Sequence, residues 1–251
     1  MGKRHDKLGI KQTIQKHWMD RVLRMLLAGM SDTEIRSDLN RYLATQKQSG
    51  GVGERGDKTY GMAIGILASW FSPPKELIKF RDAAIAFARI LPEEMWISLH
   101  WSVISASYPF WFSVAKQVGR LLNLQDQITQ AQVFNRIKEQ YGDRETVARN
   151  ARYAVRSLVA WGVLRDSEAK GCYERGAKLT ITNRNLTILM LEAALYATPE
   201  GKGTLGFLCN HPAFFPFQLP IMNGEYVARH ADRMDVIRYG LDENLLKLKG
   251  L

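Results

Sequence analysis

The chain has 251 residues, 46% apolar and 24% charged, and this ordinary globular composition argues against a disordered or collagen-like protein. Its 35 Lys and Arg against 25 Asp and Glu give a net charge of +10, which favours a polyanionic partner, either nucleic acid or an acidic membrane surface. Two cysteines, Cys172 and Cys209, exclude a disulfide-dense scaffold and a zinc site built mainly on thiolates, and favour a reducing compartment.

Residues 1–123 are predicted to form a helical N-terminal domain. Apolar residues from Ile14 to Leu27 recur with helical spacing, Gly29 ends that helix, and Ser31 with Glu34 predicts a capping box for the next. Further helices are predicted over 60–71 and 74–91, from residue 92 onward, and from 109 to about 124, and residues 46–57 form a polar loop. Alternation of helices with short breaks is typical of a helical bundle.

The most apolar long stretch, Met95 to Phe112, is predicted to be buried within a soluble protein. It is barely long enough to cross a bilayer, and it contains His100 and Pro109. The polar N-terminus is not followed by the apolar core of a signal peptide, so a cytoplasmic protein without a membrane contact is expected.

Residues 124–182 are predicted to form a winged helix-turn-helix. A short strand is expected at 125–129, and Thr129 with Gln132 fits the capping box of a helix that Gly142 closes. Asp143 is expected to cap a second, longer helix that ends near Trp161. A hairpin then follows, with its turn at 166–171 and its second strand at 173–182.

Residues 183–251 are predicted to be partly irregular. A helix is expected over 186–197, an irregular aromatic and Pro-rich segment over 209–220, a strand over 234–239 and a short helix over 242–248. The aromatic segment should pack back on the body, because its exposure would create a large apolar patch. The fold class is therefore mainly α, with a helical bundle, a winged helix-turn-helix and this C-terminal segment.

The main functional signal is a row of arginines on the predicted second helix. Arg149, Arg152 and Arg156 are spaced by three and four residues and so share one helix face, with Arg144 and Asn150 nearby. The second helix of such a motif enters the major groove of double-stranded DNA, where a guanidinium group binds guanine or phosphate through two hydrogen bonds.

The proposed wing extends this basic region. Lys170, Arg175 and Lys178 are expected to hold phosphates or the neighbouring minor groove. Between Arg136 and Arg184 there are eleven basic and six acidic residues, so half of the net charge lies in about a fifth of the chain. If six to eight cations neutralise phosphates, the affinity should fall with salt with a log–log slope of roughly −5 to −7.

Two other patterns resemble known binding motifs. Residues 22–35 resemble the first helix and turn of response-regulator DNA-binding domains, but a capped helical hairpin explains them better because no recognition helix follows directly. Gly51 to Gly56 has the spacing of a dinucleotide fingerprint, but no apolar strand precedes it. Asp57 also separates Gly56 from Lys58-Thr59, which disrupts a phosphate loop.

No catalytic, metal or cofactor site is predicted. The histidines (His5, His17, His100, His211 and His230) do not pair with another His or Cys at a metal-ligand spacing. No other arrangement of residues indicates an enzyme.

The region from Trp96 to Tyr173 resembles BrxA, the family of small accessory proteins of BREX phage-exclusion systems. The likeness rests on the segments 105–112, 132–134 and 158–164, together with the helical N-terminal region that contains Leu26-Leu27-Ala28-Gly29. This resemblance implies a compact, mainly helical, non-enzymatic protein that binds DNA and contributes to antiviral defence. The segment from Asn183 onward departs from that family.

Three alternatives stay open. The protein could be an assembly module that docks other proteins of a defence complex, or its helical N-terminal region could bind RNA. An enzyme would require an activity with nucleotide that depends on Lys58.

Overall fold

The computed structural model of the protein describes residues 2–46, 56–240 and 243–250, which are mainly helical with small sheets in the C-terminal half. The α-helices are α1 (Gly2–His5), α2 (Lys16–Leu27), α3 (Asp32–Ala44), α4 (Asp57–Phe71), α5 (Ile78–Ala88), α6 (Trp96–Ser107), α7 (Pro109–Leu122), α8 (Gln130–Tyr141), α9 (Glu145–Ala160), α10 (Arg184–Ala197), α11 (Leu205–Cys209) and α12 (Gly224–His230). Short 3-10 helices lie at Lys75–Leu77, Glu93–Met95 and Pro212–Phe214.

The described strands form three small sheets. They are β1 (Gln127–Thr129), β2 (Leu164–Asp166), β3 (Cys172–Arg175), β4 (Leu179–Thr180), β5 (Lys202–Thr204), β6 (Phe217–Gln218), β7 (Met234–Tyr239) and β8 (Glu243–Leu248). One antiparallel sheet has the order β1-β3-β2 and another the order β5-β8-β7, while β4 and β6 pair in parallel.

Helix α6 lies at the centre of the hydrophobic core. All of its residues from Trp96 to Ala106 are buried, and α10, α5 and α7 pack against it. The same core contains Ile128 and Leu158 from the middle of the chain and Phe217 from the C-terminal segment. The apolar stretch 95–112 is thus buried as predicted. Pro109, which cannot continue a helix, separates α6 from α7, and this break was predicted too.

Several helix ends follow the signals in the sequence. The capping boxes of Ser31 with Glu34 and of Thr129 with Gln132 are both present, as predicted. Gly142 ends α8 with a φ of 85°, a backbone conformation that glycine adopts without steric cost.

Other helix starts differ from the prediction. The helix expected from Pro74 begins as the 3-10 helix Lys75–Leu77, and α5 ends at Ala88. The expectation that Asp143 caps the second helix is wrong, because Arg144 occupies the N-cap position of α9 and makes no capping hydrogen bond with its side chain. The Asp143 carboxylate lies 2.8 Å from Lys138 Nζ and forms an ion pair instead.

The strand predicted over 173–182 is divided in two. Its first part is β3, which pairs with both β1 and β2. The chain then turns, and the amides of Gly176 and Ala177 donate to the carbonyls of Val163 and Gly162. Its second part is β4, which leaves the hairpin and pairs with β6.

The C-terminal segment is partly as predicted. Helix α10 and strand β7 are confirmed, and Phe214, Phe215 and Phe217 pack into the core at 3–7% exposure. The short helix predicted over 242–248 is wrong: β8 lies there, because its backbone pairs with β5 on one side and β7 on the other.

Among the described helices, none combines the length and apolar character needed to cross a membrane. The stretch 95–112, the most apolar in the sequence, is divided between α6, which has 12 residues, and the start of α7, which has 14.

Candidate nucleic-acid interface

Helix α9 has one buried face and one basic face. Val147, Ala151, Ala154 and Leu158 are at most 1% exposed and pack into the core. The opposite face carries Arg149, Arg152 and Arg156, which are all exposed, and this row is called the arginine ridge below. The structure therefore brings these three predicted residues together on the surface.

The arginine ridge keeps part of its charge free. Arg149 Nη1 is 3.6 Å from Glu145 Oε1, and both side chains are at least half exposed, so this ion pair is weak. Among the described residues, Arg152 forms no ion pair. Arg144, just before the helix, is exposed, and its Nη2 donates to the carbonyl of Tyr141 at 3.0 Å.

Arg156 is the most engaged member of the arginine ridge. Its Nη1 donates to Asp166 Oδ1 of β2 at 2.5 Å. Burial lowers the pKa of the Arg156 guanidinium, but the hydrogen bonds and charges of Asp166 and Tyr173 outweigh that effect and raise it. The Arg156 side chain stays 43% exposed, so the ion pair occupies one edge of the guanidinium group and leaves the rest accessible.

Two predicted site residues do not fit a role in DNA contact. Asn150 is only 6% exposed, and its side-chain amide donates to the Thr146 carbonyl. It follows Arg149 directly in the helix, and successive helical residues point in directions about 100° apart, so it lies off the exposed face. Arg175 lies in β3 and donates to the carbonyls of Leu122 and Phe215 at 3.1 and 3.0 Å. The guanidinium group of Arg175 thus joins α7 to the C-terminal segment.

The two predicted lysines are exposed. Lys170 lies in the turn that connects β2 and β3, and Lys178 lies just before β4. Neither forms an ion pair with a residue that the structure describes. Lys178 stands outside the hairpin, because the strand to which it was assigned ends at Arg175.

Three further lysines lie beside α9 and were not predicted. Lys7 and Lys11 from the N-terminal segment and Lys58 from the first turn of α4 line a cleft together with Arg149. Residues 3–16 contain Lys3, Arg4, Lys7, Lys11 and Lys16 against the single acid Asp6, and this imbalance was the available signal. These lysines lie about 90 to 140 residues before Arg149 in the sequence, so a local pattern could not reveal the contact.

A second polar cluster lies inside the core. His100 Nε2 is 2.9 Å from Asp20 Oδ1, and Lys16 Nζ donates to both oxygens of the same carboxylate at 2.9 Å. Burial lowers the pKa of His100. Burial alone would raise the pKa of Asp20, but the hydrogen bonds and charges of His100 and Lys16 outweigh burial, and the pKa of Asp20 is lowered. His100 is fully buried, so this cluster stabilises the contact between α2 and α6.

The remaining sequence patterns add no site. Residues 22–35 form the end of α2 and the capped start of α3, as a helical hairpin would. Most of the Gly-rich pattern, residues 51–55, lies outside the described residues. Within the described part of the chain, no group of three or more His, Cys, Asp or Glu residues could hold a metal ion.

Comparisons of the chain with protein-family models, curated proteins and solved structures find no match. What the protein does is therefore inferred from its own residues and geometry.

Proposed function

We propose that the chain is a non-enzymatic protein that binds double-stranded DNA through residues 124–182, folded as a winged helix-turn-helix. The order of elements supports this assignment: α7, β1, α8, α9, β2 and β3 follow one another, with the sheet order β1-β3-β2. Three residues that begin with Gly142 connect α8 to α9, and helix-turn-helix motifs commonly use a turn of this length that contains glycine.

The observation that carries the proposal is the exposed arginine ridge on the second helix of this unit. At about 1.5 Å per residue, Arg149 and Arg156 are about 10 Å apart along the axis, which is comparable to the width of the major groove. Helix α9 is the recognition helix of the proposal. Arg144 and Arg149 lie at its N-terminal end, where such helices contact bases and phosphates.

The turn between β2 and β3 supplies the second contact. Lys170 would reach a phosphate or the neighbouring minor groove, as the wing does in this class of protein, and Lys178 would bind the backbone nearby. Asn150 and Arg175 are not part of this interface. Among the predicted site cations, those without a carboxylate partner in the described part of the chain, or with only a weak one, are Arg144, Arg149, Arg152, Lys170 and Lys178.

We propose that this DNA-binding protein is an accessory or regulatory component of a cytoplasmic phage-defence system. This proposal rests on the segments 105–112, 132–134 and 158–164, which resemble BrxA-type proteins.

The test is duplex binding by a variant that carries Arg149→Ala, Arg152→Ala and Arg156→Ala. Each good contact is worth about 1–3 kcal/mol, so the variant should bind a duplex at least about 100-fold more weakly than the wild type. A matched triple variant, Lys75→Ala, Lys79→Ala and Arg89→Ala, removes the same charge from exposed positions near α5 and should change the affinity far less. Thermal unfolding should show both variants folded.

Equal affinities of the two folded triple variants would contradict the proposal. Capture of a stoichiometric protein partner without salt-sensitive duplex binding would favour the assembly module instead. Competition between a duplex and a structured RNA at fixed salt would reveal a preference for RNA.

A further inference from the structure

A concave cleft of about 900 Å³ lies between the N-terminal segment, the start of α4 and one side of α9. Its volume falls within the range of about 300–1,000 Å³ that is typical of sites for small molecules and cofactors. The proposed DNA interface does not use most of this cleft, since only Arg149 belongs to both.

Four cations line the cleft: Lys7, Lys11, Lys58 and Arg149. No carboxylate is among the lining residues in the described part of the chain. Three acids adjoin the lining residues in sequence without lining the cleft: exposed Asp6, Glu145, whose 90% exposed side chain pairs only weakly with Arg149 at 3.6 Å, and Asp57, which accepts a hydrogen bond from Tyr60 Oη at 2.7 Å. A concave surface with one sign of charge concentrates oppositely charged ligands, so this cleft attracts anions.

The rest of the lining suits a nucleoside. Leu8, Met62 and Tyr153 are half-buried and present apolar and aromatic surface, on which a base can stack. Asn150 also lines the cleft, but its Oδ1 is buried and is not exposed to a ligand there.

The N-terminal wall of the cleft is anchored to the core. Ile10 and Ile14 are fully buried, the Ile14 amide donates to Ser157 Oγ, and Trp161 Nε1 donates to the Ile14 carbonyl, both at 2.9 Å. Gly9 has a φ of 69°, and a Cβ atom there would lie 2.4 Å from the ring of Tyr108. The contacts of Ile14 with Ser157 and Trp161 hold this segment beside α9, so the backbone wall of the site is formed before a ligand arrives.

We propose that this cleft binds a free nucleoside di- or triphosphate, with the phosphates on the lysines and Arg149 and the nucleoside on the wall formed by Leu8, Met62 and Tyr153. The alternative source of phosphate is the backbone of DNA. The concave shape and the apolar wall favour a small ligand, since a duplex docks on an exposed helix face such as the one that carries the arginine ridge. Because Arg149 is shared, bound nucleotide and bound duplex should weaken each other.

The test is calorimetric titration of the full chain with ATP, inorganic tripolyphosphate and adenosine. ATP should bind at one site with a Kd below about 1 mM at low salt, tripolyphosphate more weakly, and adenosine not detectably. Lys11→Gln and Lys58→Gln should each weaken ATP binding by about tenfold, which is the loss of one charge-assisted contact. Lys79→Gln, at an exposed position on α5, should leave ATP binding unchanged.

Duplex binding separates this proposal from the proposed function. The variants Lys11→Gln and Lys58→Gln should keep their duplex affinity within about threefold of the wild type, because only screened charge is lost. The assignment is overturned if ATP does not bind, if adenosine binds as well as ATP, or if both variants retain full ATP affinity. Duplex binding that depends on Lys11 and Lys58 without any ATP binding would also overturn it. ATP binding by a chain that does not bind duplex would remove the proposed function and leave this site intact.

Discussion

Helices α6 and α9 have similar lengths and use their polar residues in opposite ways. In α6, His100 is completely buried, and its Nε2 is hydrogen-bonded to Asp20, so this polar atom has its partner inside the protein. In α9, the polar residues of the arginine ridge face solvent, and Arg152 has no carboxylate partner among the described residues. A polar group with an internal partner stabilises the fold, whereas an exposed cation without a strong partner is available to bind another molecule.

The largest effect is expected from a substitution in α6 that destabilises the core. Trp101 is fully buried, and its ring lies 5.3–6.2 Å from those of Trp111, Trp161, Phe215 and Phe217. Trp101→Ala should lower the free energy of unfolding by about 3–5 kcal/mol, because it removes a large core side chain and leaves a cavity. Chemical denaturation measures this loss.

A matched variant is Trp101→Phe, which keeps an aromatic ring. Since Trp101 Nε1 makes no hydrogen bond to a described residue, this variant should lose less than about 2 kcal/mol. A loss below about 1 kcal/mol for Trp101→Ala would show that the position is not at the centre of the core.

A smaller effect on stability is expected at Arg175, and the nearby cation Lys178 serves for comparison. Arg175→Ala should lower the free energy of unfolding by about 1–3 kcal/mol, because the carbonyls of Leu122 and Phe215 lose a charged donor. Lys178→Ala should leave stability within about 0.5 kcal/mol of the wild type and weaken duplex binding instead. Unfolding curves and duplex titrations on both variants test the assignment, which fails if the two variants change the same property.

The sequence predicted local structure well and long-range contacts poorly. The capping box at Thr129 and the turn at Gly142 depend on neighbouring residues, and both were predicted. The segment of β8 was predicted to be a helix. Its conformation depends on its pairing with β5 and β7, which the local sequence does not show.

The candidate site was predicted in part for the same reason. Helical spacing alone placed Arg149, Arg152 and Arg156 on one face, and the structure has them there. Asn150 follows Arg149 in sequence, but successive helical residues differ by about 100° in direction, which places it in the interior. The approach of Lys7, Lys11 and Lys58 to α9 depends on the buried contacts of Ile14 with Ser157 and Trp161, which no local pattern reveals.

The smallest effect is expected on duplex affinity, from removing the carboxylate partner of Arg156 in α9. Asp166→Asn removes the carboxylate that holds Arg156, so the guanidinium group gains freedom to bind phosphate. An exposed ion pair is worth about 0.2–1 kcal/mol, so duplex affinity should rise by about 1.4- to fivefold. Glu174→Asn, beside Arg165 and outside the arginine ridge, is the charge-matched control. Equal gains in both variants would mean that only net charge matters.

The salt dependence of duplex binding tests the central claim most directly. Five cations of the proposed interface (Arg144, Arg149, Arg152, Lys170 and Lys178) have at most a weak carboxylate partner among the described residues and can neutralise phosphates. The logarithm of the wild-type affinity should therefore fall with the logarithm of salt concentration with a slope of about −4 to −5, shallower than the −5 to −7 expected from the sequence. In the variant without the arginine ridge, the slope should be shallower by about two units. A wild-type slope near zero, or an identical slope in the two proteins, would contradict the assignment of α9 as the DNA-binding helix.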